Sequence, residues 1–167
     1  MKKVLLFLVV AVALVCGGFY LLVGDPEVFY NNQKMDSAML HAEIGKKITL
    51  DQITMFEWDE MYSFKHTMTK SEIEQVLGFE SAAIKEPTGD TFIQVVFVKE
   101  GKVVCNLSGV YTSLGYNVIF NDPVPEYHKI LNSDKVEFEV KDIENVIRFI
   151  QVDKGIIVPP DKQMGIY

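Results

Sequence analysis

Residues 4–24, VLLFLVVAVALVCGGFYLLVG, are apolar or small at every position and carry no charge. As a helix rising 1.5 Å per residue, such a run covers the ~30 Å hydrocarbon core of a bilayer. The pattern predicts a retained signal anchor over residues 1–24. Lys2 and Lys3 before it would stay in the cytoplasm, because basic flanks favour that side. The expected placement is single-pass in the cell membrane, with the C-terminal domain extracytoplasmic, in the periplasm or outside the cell. Two other readings of the run stay open. Ala13-Leu14-Val15-Cys16 resembles a lipobox, which would make Cys16 a lipidation site, although Val15 stands where a small residue is expected. Cleavage after Gly17 is the third reading.

Beyond the run the pattern alternates between helical and strand periods. Residues 25–34 are polar and read as a spacer. Met35, Ala38, Met39 and Ala42 recur at helical spacing, and Gly45 closes that element. Residues 48–50 read as a short strand. In 55–64, MFEWDEMYSF, the residues Phe56, Trp58, Tyr62 and Phe64 share one strand face, with Glu60 breaking it. A bulge near Asp59 is expected to turn Glu60 outward; the other reading is a partly buried carboxylate with a partner. Thr69 and Glu72 form a capping box for a helix that ends at Gly78, against which Trp58 is expected to pack.

Residues 92–98 and 102–107 flank Lys99-Glu100-Gly101 and predict a central apolar hairpin. Residues 116–120 read as another strand and 126–131 as a helical turn. In 136–140 the period is strict, with Val136, Phe138 and Val140 inward and Glu137 and Glu139 outward, and 146–152 pairs back. The expected fold is therefore α+β: an N-terminal transmembrane helix, then a mostly antiparallel sheet of about six strands with two short helices. Its divisions are 1–24 anchor, 25–34 spacer, 35–158 extracytoplasmic domain and 159–167 tail.

Charge narrows the partners. The 167-residue chain has a net charge of −7, and −9 without Lys2 and Lys3. An acidic surface repels phosphate backbones, so nucleic acid is not expected, while a basic protein partner suits it. The membrane, through the N-terminal helix, is the other expected partner. Cys105 is the sole cysteine beyond the apolar run, so no disulfide can form within the domain. Val103, Cys105 and Leu107 share a strand face, which makes the thiol a buried, inert one.

Recognisable chemistry is sparse. The three histidines, His41, His66 and His128, lie in no metal-ligand spacing, and there is no phosphate loop, dinucleotide fingerprint or nucleophile elbow. No cofactor is expected. The speculative functional residues are Asp59, Glu60 and His128. Asn106-Leu107-Ser108 has the form of a glycosylation sequon.

At ITLDQITMFEWDEMYSF, the capped TKSEIEQVLGF and VVFVKEGKVV, the chain resembles a loose group of small exported bacterial proteins. In these a leader or lipoprotein signal precedes an aromatic-x-Trp-Asp strand, a short helix and a hydrophobic hairpin. Phe56, Trp58, Asp59, Glu72, Leu77, Gly78 and the hairpin at Gly101 carry the resemblance, which covers residues 48–104. It implies a fold and no activity, the group being uncharacterised. The expected function is a bacterial-type, membrane-anchored extracytoplasmic protein with a non-enzymatic binding or envelope structural role. An immunity or inhibitor protein against a basic toxin or hydrolase is one alternative. An enzyme with a site assembled from distant residues is the other.

Overall fold

The computed structural model describes residues 8–10, 25–121 and 126–152. Its first complete element is α1 (Pro26–Leu40), which begins ahead of the Met35 stripe and takes in 26–34. The start signal lies in Asp25-Pro26: the Asp25 side chain accepts from the Glu27 amide at 2.9 Å, and Pro26 occupies the first turn. Val28, Asn31, Met35 and Met39 form the buried stripe.

Eight strands follow in two sheets of four, which corrects the expected single sheet of about six. The strands are β1 (Lys47–Thr49), β2 (Glu60–Phe64), β3 (Phe92–Lys99), β4 (Lys102–Val110), β5 (Tyr116–Ile119), β6 (Tyr127–Leu131), β7 (Glu137–Ile143) and β8 (Val146–Gln151). Short helices α2 (Leu50–Ile53), α3 (Lys70–Leu77) and α4 (Tyr111–Leu114) are set among them. One sheet runs β1-β7-β8-β5 and the other β4-β3-β2-β6. The β5–β8 pair is parallel; the other pairs are antiparallel. Residues 127–131, which read as a helical turn, instead form the edge strand β6 against β2.

Turn chemistry fixes the hairpins. Glu100 and Gly101 both have positive φ, as do Glu144 and Asn145, the combination whose twist matches two-residue antiparallel hairpins. The β3–β4 hairpin is not wholly interior. β3 is central, but β4 is an edge strand that α1 covers. α3 is capped as its sequence predicts: Glu72 and Thr69 exchange hydrogen bonds, and Gly78 takes the left-handed conformation at φ 81°.

The aromatic ladder of 55–64 divides. Strand pairing of β2 begins only at Glu60, so Phe56 and Trp58 precede it and lie against Phe97 between the sheets. Tyr62 and Phe64 stack on the opposite side, beside Ile73 of α3. Trp58 therefore packs in the inter-sheet core and not on α3.

Among the described residues no helix is long and apolar enough to cross a membrane. This corrects the expected transmembrane architecture and the single-pass placement resting on it. Of the run 4–24 only 8–10 are described, in helical conformation; the remainder, Cys16 included, lies outside the described residues.

Candidate functional site

The three speculative residues are each held by a different structural contact. Asp59 precedes β2, and its Oδ2 accepts the Glu100 amide at 2.8 Å, bracing the β3–β4 turn. Its main-chain amide and carbonyl bond Val98 and Asn132, so it ties β3 to the turn after β6. Glu60 takes the partnered alternative. Its Oε1 meets Lys129 Nζ at 2.7 Å and its Oε2 accepts from the Tyr62 hydroxyl at 2.6 Å. Those two bonds, the Lys129 one foremost, hold its carboxyl below the ordinary carboxylate range. His128 stacks on Phe120 with ring centroids 3.9 Å apart.

They do not converge. Glu60 pairs with Leu131 and His128 with Ser63, three residues further along β2. Three residues is an odd step in a two-residue period, so Glu60 and His128 leave opposite faces of the sheet. The hollow beside His128 is lined by Phe120, Tyr127 and their neighbours, and by neither carboxylate.

Cys105 is fully buried, and that burial pushes its thiol well above the ordinary range. A protonated thiol in such surroundings is a poor nucleophile. Tyr116, also fully buried, is pushed up by burial first and then by its hydrogen bond to Asp36. That bond ties β5 to α1.

A different group of residues lines a site. Where α1 crosses the free edge of β4, Asn31 Nδ2 donates to the Val104 carbonyl at 2.9 Å. Asn32 Oδ1 accepts the Asn106 amide at 2.8 Å. An edge strand exposes main-chain groups that would otherwise pair with another strand; here two helix carboxamides occupy those positions. Beside them a cavity of about 490 Å³ opens between the first two turns of α1, the segment 79–91 and β4. Val28, Phe29 and Val103 supply apolar lining, and Asn32, Ser81 and Asn106 polar lining. Asp25, Glu80 and Lys85 contribute charge. Segment 79–91 holds neither helix nor strand, a length at which connections are uncommon and are usually functional loops or linkers.

Asn106 is the distinctive member, at 3% exposure. Its Nδ2 donates to the Ala83 carbonyl at 2.5 Å and to Ser108 Oγ at 3.4 Å. Its Oδ1 is buried with no partner among the described residues. Leaving a buried acceptor unpaired costs about 1–3 kcal/mol. An asparagine so enclosed has no room for a glycan, so the sequon is structural.

The signal for this site was present as a broken rule. Paired asparagines sit inside a helix, and Asn106 sits inside the apolar run 103–107 of β4, both places where these residues are disfavoured. No metal-binding group of three or more His, Cys, Asp or Glu occurs among the described residues. Comparison with family models, curated proteins and solved structures finds no match.

Proposed function

We propose that this chain is a non-catalytic binding protein whose ligand seats in the cavity between α1, segment 79–91 and β4. The observation that carries the reading is the cavity itself, where Asn32 and Ser81 lie beside Val28, Phe29 and Val103. The cavity volume falls within the ~300–1,000 Å³ typical of ligand sites. Its polar lining, Asn32 and Ser81 with Asp25, Glu80 and Lys85, offers hydrogen bonds and charge to a ligand.

The net charge of −7 favours basic ligands and partners over anionic ones, which also supports the inhibitor alternative. Binding of that kind weakens as salt rises.

The test is a nitrogen-15 NMR screen of the full chain against small polar compounds. Ligands should shift the side-chain amides of Asn32 and Asn106 and the amides of 79–91. Ala82 lines the cavity and is exposed, so Ala82→Trp should obstruct entry without disturbing the core. Shifts confined to other regions, or binding untouched by Ala82→Trp, overturn the proposal.

A further inference from the structure

Resting on that reading of the cavity, we infer that its ligand is a free α-amino acid with an aliphatic side chain, its ammonium, carboxylate and side chain each met by a different part of the lining. The cavity carries charges of both signs that stay apart. Glu80 and Lys85 line it and are exposed, and among the described residues neither side chain makes an ion pair or a hydrogen bond. The carboxylates around them are engaged by the fold. Glu74 accepts the Ser81 amide at 2.9 Å and meets Lys70 at 3.6 Å, and Glu86 accepts the Lys70 amide at 2.9 Å. Opposite charges that the fold leaves unjoined suit a ligand that bears both signs.

The rest of the lining sorts by the same chemistry. Asn32 Oδ1 is taken by the Asn106 main-chain amide, which leaves Nδ2 as the donor end. Ser81 Oγ accepts from the Ala83 amide at 3.2 Å, and its hydroxyl proton is left to donate. With the Lys85 ammonium these are three donors, the kind of set that a carboxylate takes. Asp25 uses Oδ1 for the Glu27 amide, so its Oδ2 can join Glu80 in accepting from an ammonium. Val28, Phe29 and Val103 offer apolar contact to an aliphatic side chain. A simple amine would leave the donors idle. An aliphatic acid would meet two carboxylates in a chain of net charge −7. An α-amino acid gathers ammonium, carboxylate and side chain on one carbon.

The probe is L-leucine, titrated into the nitrogen-15-labelled full chain. Its comparisons are 3-methylbutylamine, which lacks the carboxylate, 4-methylpentanoate, which lacks the ammonium, and uncharged 3-methylbutanol. Leucine should shift the Asn32 side-chain amide and the amides of 80–85 saturably. Each singly charged analogue should bind about threefold to tenfold more weakly, the worth of a charge-assisted contact partly screened by solvent. Glu80→Gln should weaken leucine and the amine but not the acid. Lys85→Met should weaken leucine and the acid but not the amine. Both residues are exposed, so neither variant should disturb the core. Either analogue equal to leucine overturns the inference, as does leucine binding that neither variant changes. Equal shifts with leucine and 3-methylbutanol overturn it and leave the cavity as the binding site. If none of the four compounds moves those resonances the inference falls, and the binding reading falls with it only if the wider screen of polar compounds is silent too.

Discussion

Val95, Phe97, Cys105 and Leu107 leave one face of the β3–β4 hairpin; Gln94, Val96, Asn106 and Ser108 leave the other. The first face meets Tyr116, Val118, Phe138, Val140 and Phe149 of the second sheet. Polar atoms there are paired: the Tyr116 hydroxyl donates to Asp36, and Trp58 Nε1 donates to Thr54 Oγ1 at 3.1 Å. The second face is covered by α3 and segment 79–91, and it too is buried. Yet Asn106 Oδ1 and both amide atoms of Gln94 lack partners among the described residues. Buried polar atoms are usually paired, and the exceptions concentrate where a protein stores strain or does work. The inner face carries the stability, and the outer face tolerates a local cost beside an open cavity.

The largest expected effect lies on the inner face. Phe97 is fully buried and takes edge contacts from both Phe56 and Trp58. Phe97→Ala should cost about 3–5 kcal/mol, from lost transfer energy plus a cavity. Urea unfolding followed by Trp58 fluorescence measures it. A loss near 1 kcal/mol would mean that the inter-sheet layer is not the main source of stability.

An alkaline titration probes the same layer. Burial pushes the Cys105 thiol and the Tyr116 hydroxyl upward, so the folded chain keeps both protons after the unfolded chain has lost them. Their contribution is fully present below the unfolded values, about 8.5 for Cys and 10 for Tyr, and is lost as pH rises toward the folded ones. Between about pH 8.5 and 10, stability should fall by about 1.4 kcal/mol per pH unit from Cys105 alone. Above pH 10 the decline should steepen as Tyr116 joins. Cys105→Ala should flatten the first segment and Tyr116→Phe the added steepness. A wild-type profile flat from pH 8 to 10 would contradict the dry inner face.

On the outer face the sign of a substitution should reverse. Gln94 is 1% exposed, and both its amide atoms are unpaired. Replacing a buried polar group that lacks a partner with an apolar one of similar shape removes a desolvation cost. Gln94→Met should therefore stabilise the fold by about 1–2 kcal/mol. A destabilisation of that size in urea would show that the amide is satisfied in solution, and the contrast between the faces would close.

The contrast explains which parts of the structure could be read from the residues. The α3 box, the two hairpins and the inward Phe138–Val140 pattern follow from local rules: caps, positive-φ turns and a two-residue period. Two sheets in place of one did not follow, because β5 pairs in parallel with β8 across intervening strands. Nothing local encodes such a partner. β6 was missed because PEYHKIL carries little strand pattern and gains its conformation by pairing with β2. α1 was placed too late because its early turns bury Asn31 beside Val28, and a polar residue in the stripe hides the helical period. The candidate site went unread for the same reason. It consists of polar residues where apolar ones are expected, and only the fold brings Asn32, Ala83 and Asn106 together.

The smallest expected effect tests whether Glu60, the carboxylate most conspicuous in the pattern, is a lock on the outer face and no part of its site. Lys129 and Tyr62 hold it, and Lys129 Nζ also lies 5.3 Å from the Tyr62 ring centre. The Glu60 side chain is 31% exposed and that of Lys129 42%, so solvent screens the pair and its worth is about 0.2–1 kcal/mol. The Glu60 carboxyl is held low, chiefly by Lys129, and its contribution is lost as pH falls through the folded value. The Lys129 ammonium is pushed up, chiefly by Glu60, and its contribution is lost as pH rises through its own folded value. The pair thus acts at full strength from about pH 5 to 10. Glu60→Gln should cost about 0.5 kcal/mol at pH 7, less as acid protonates the carboxyl, and less in 1 M salt, where screening acts within about 3 Å. Ligand binding in the cavity between α1, segment 79–91 and β4 should be unchanged in that variant, because Glu60 does not line it. Loss of binding together with an unchanged urea midpoint would move Glu60 from the frame of the outer face into its site.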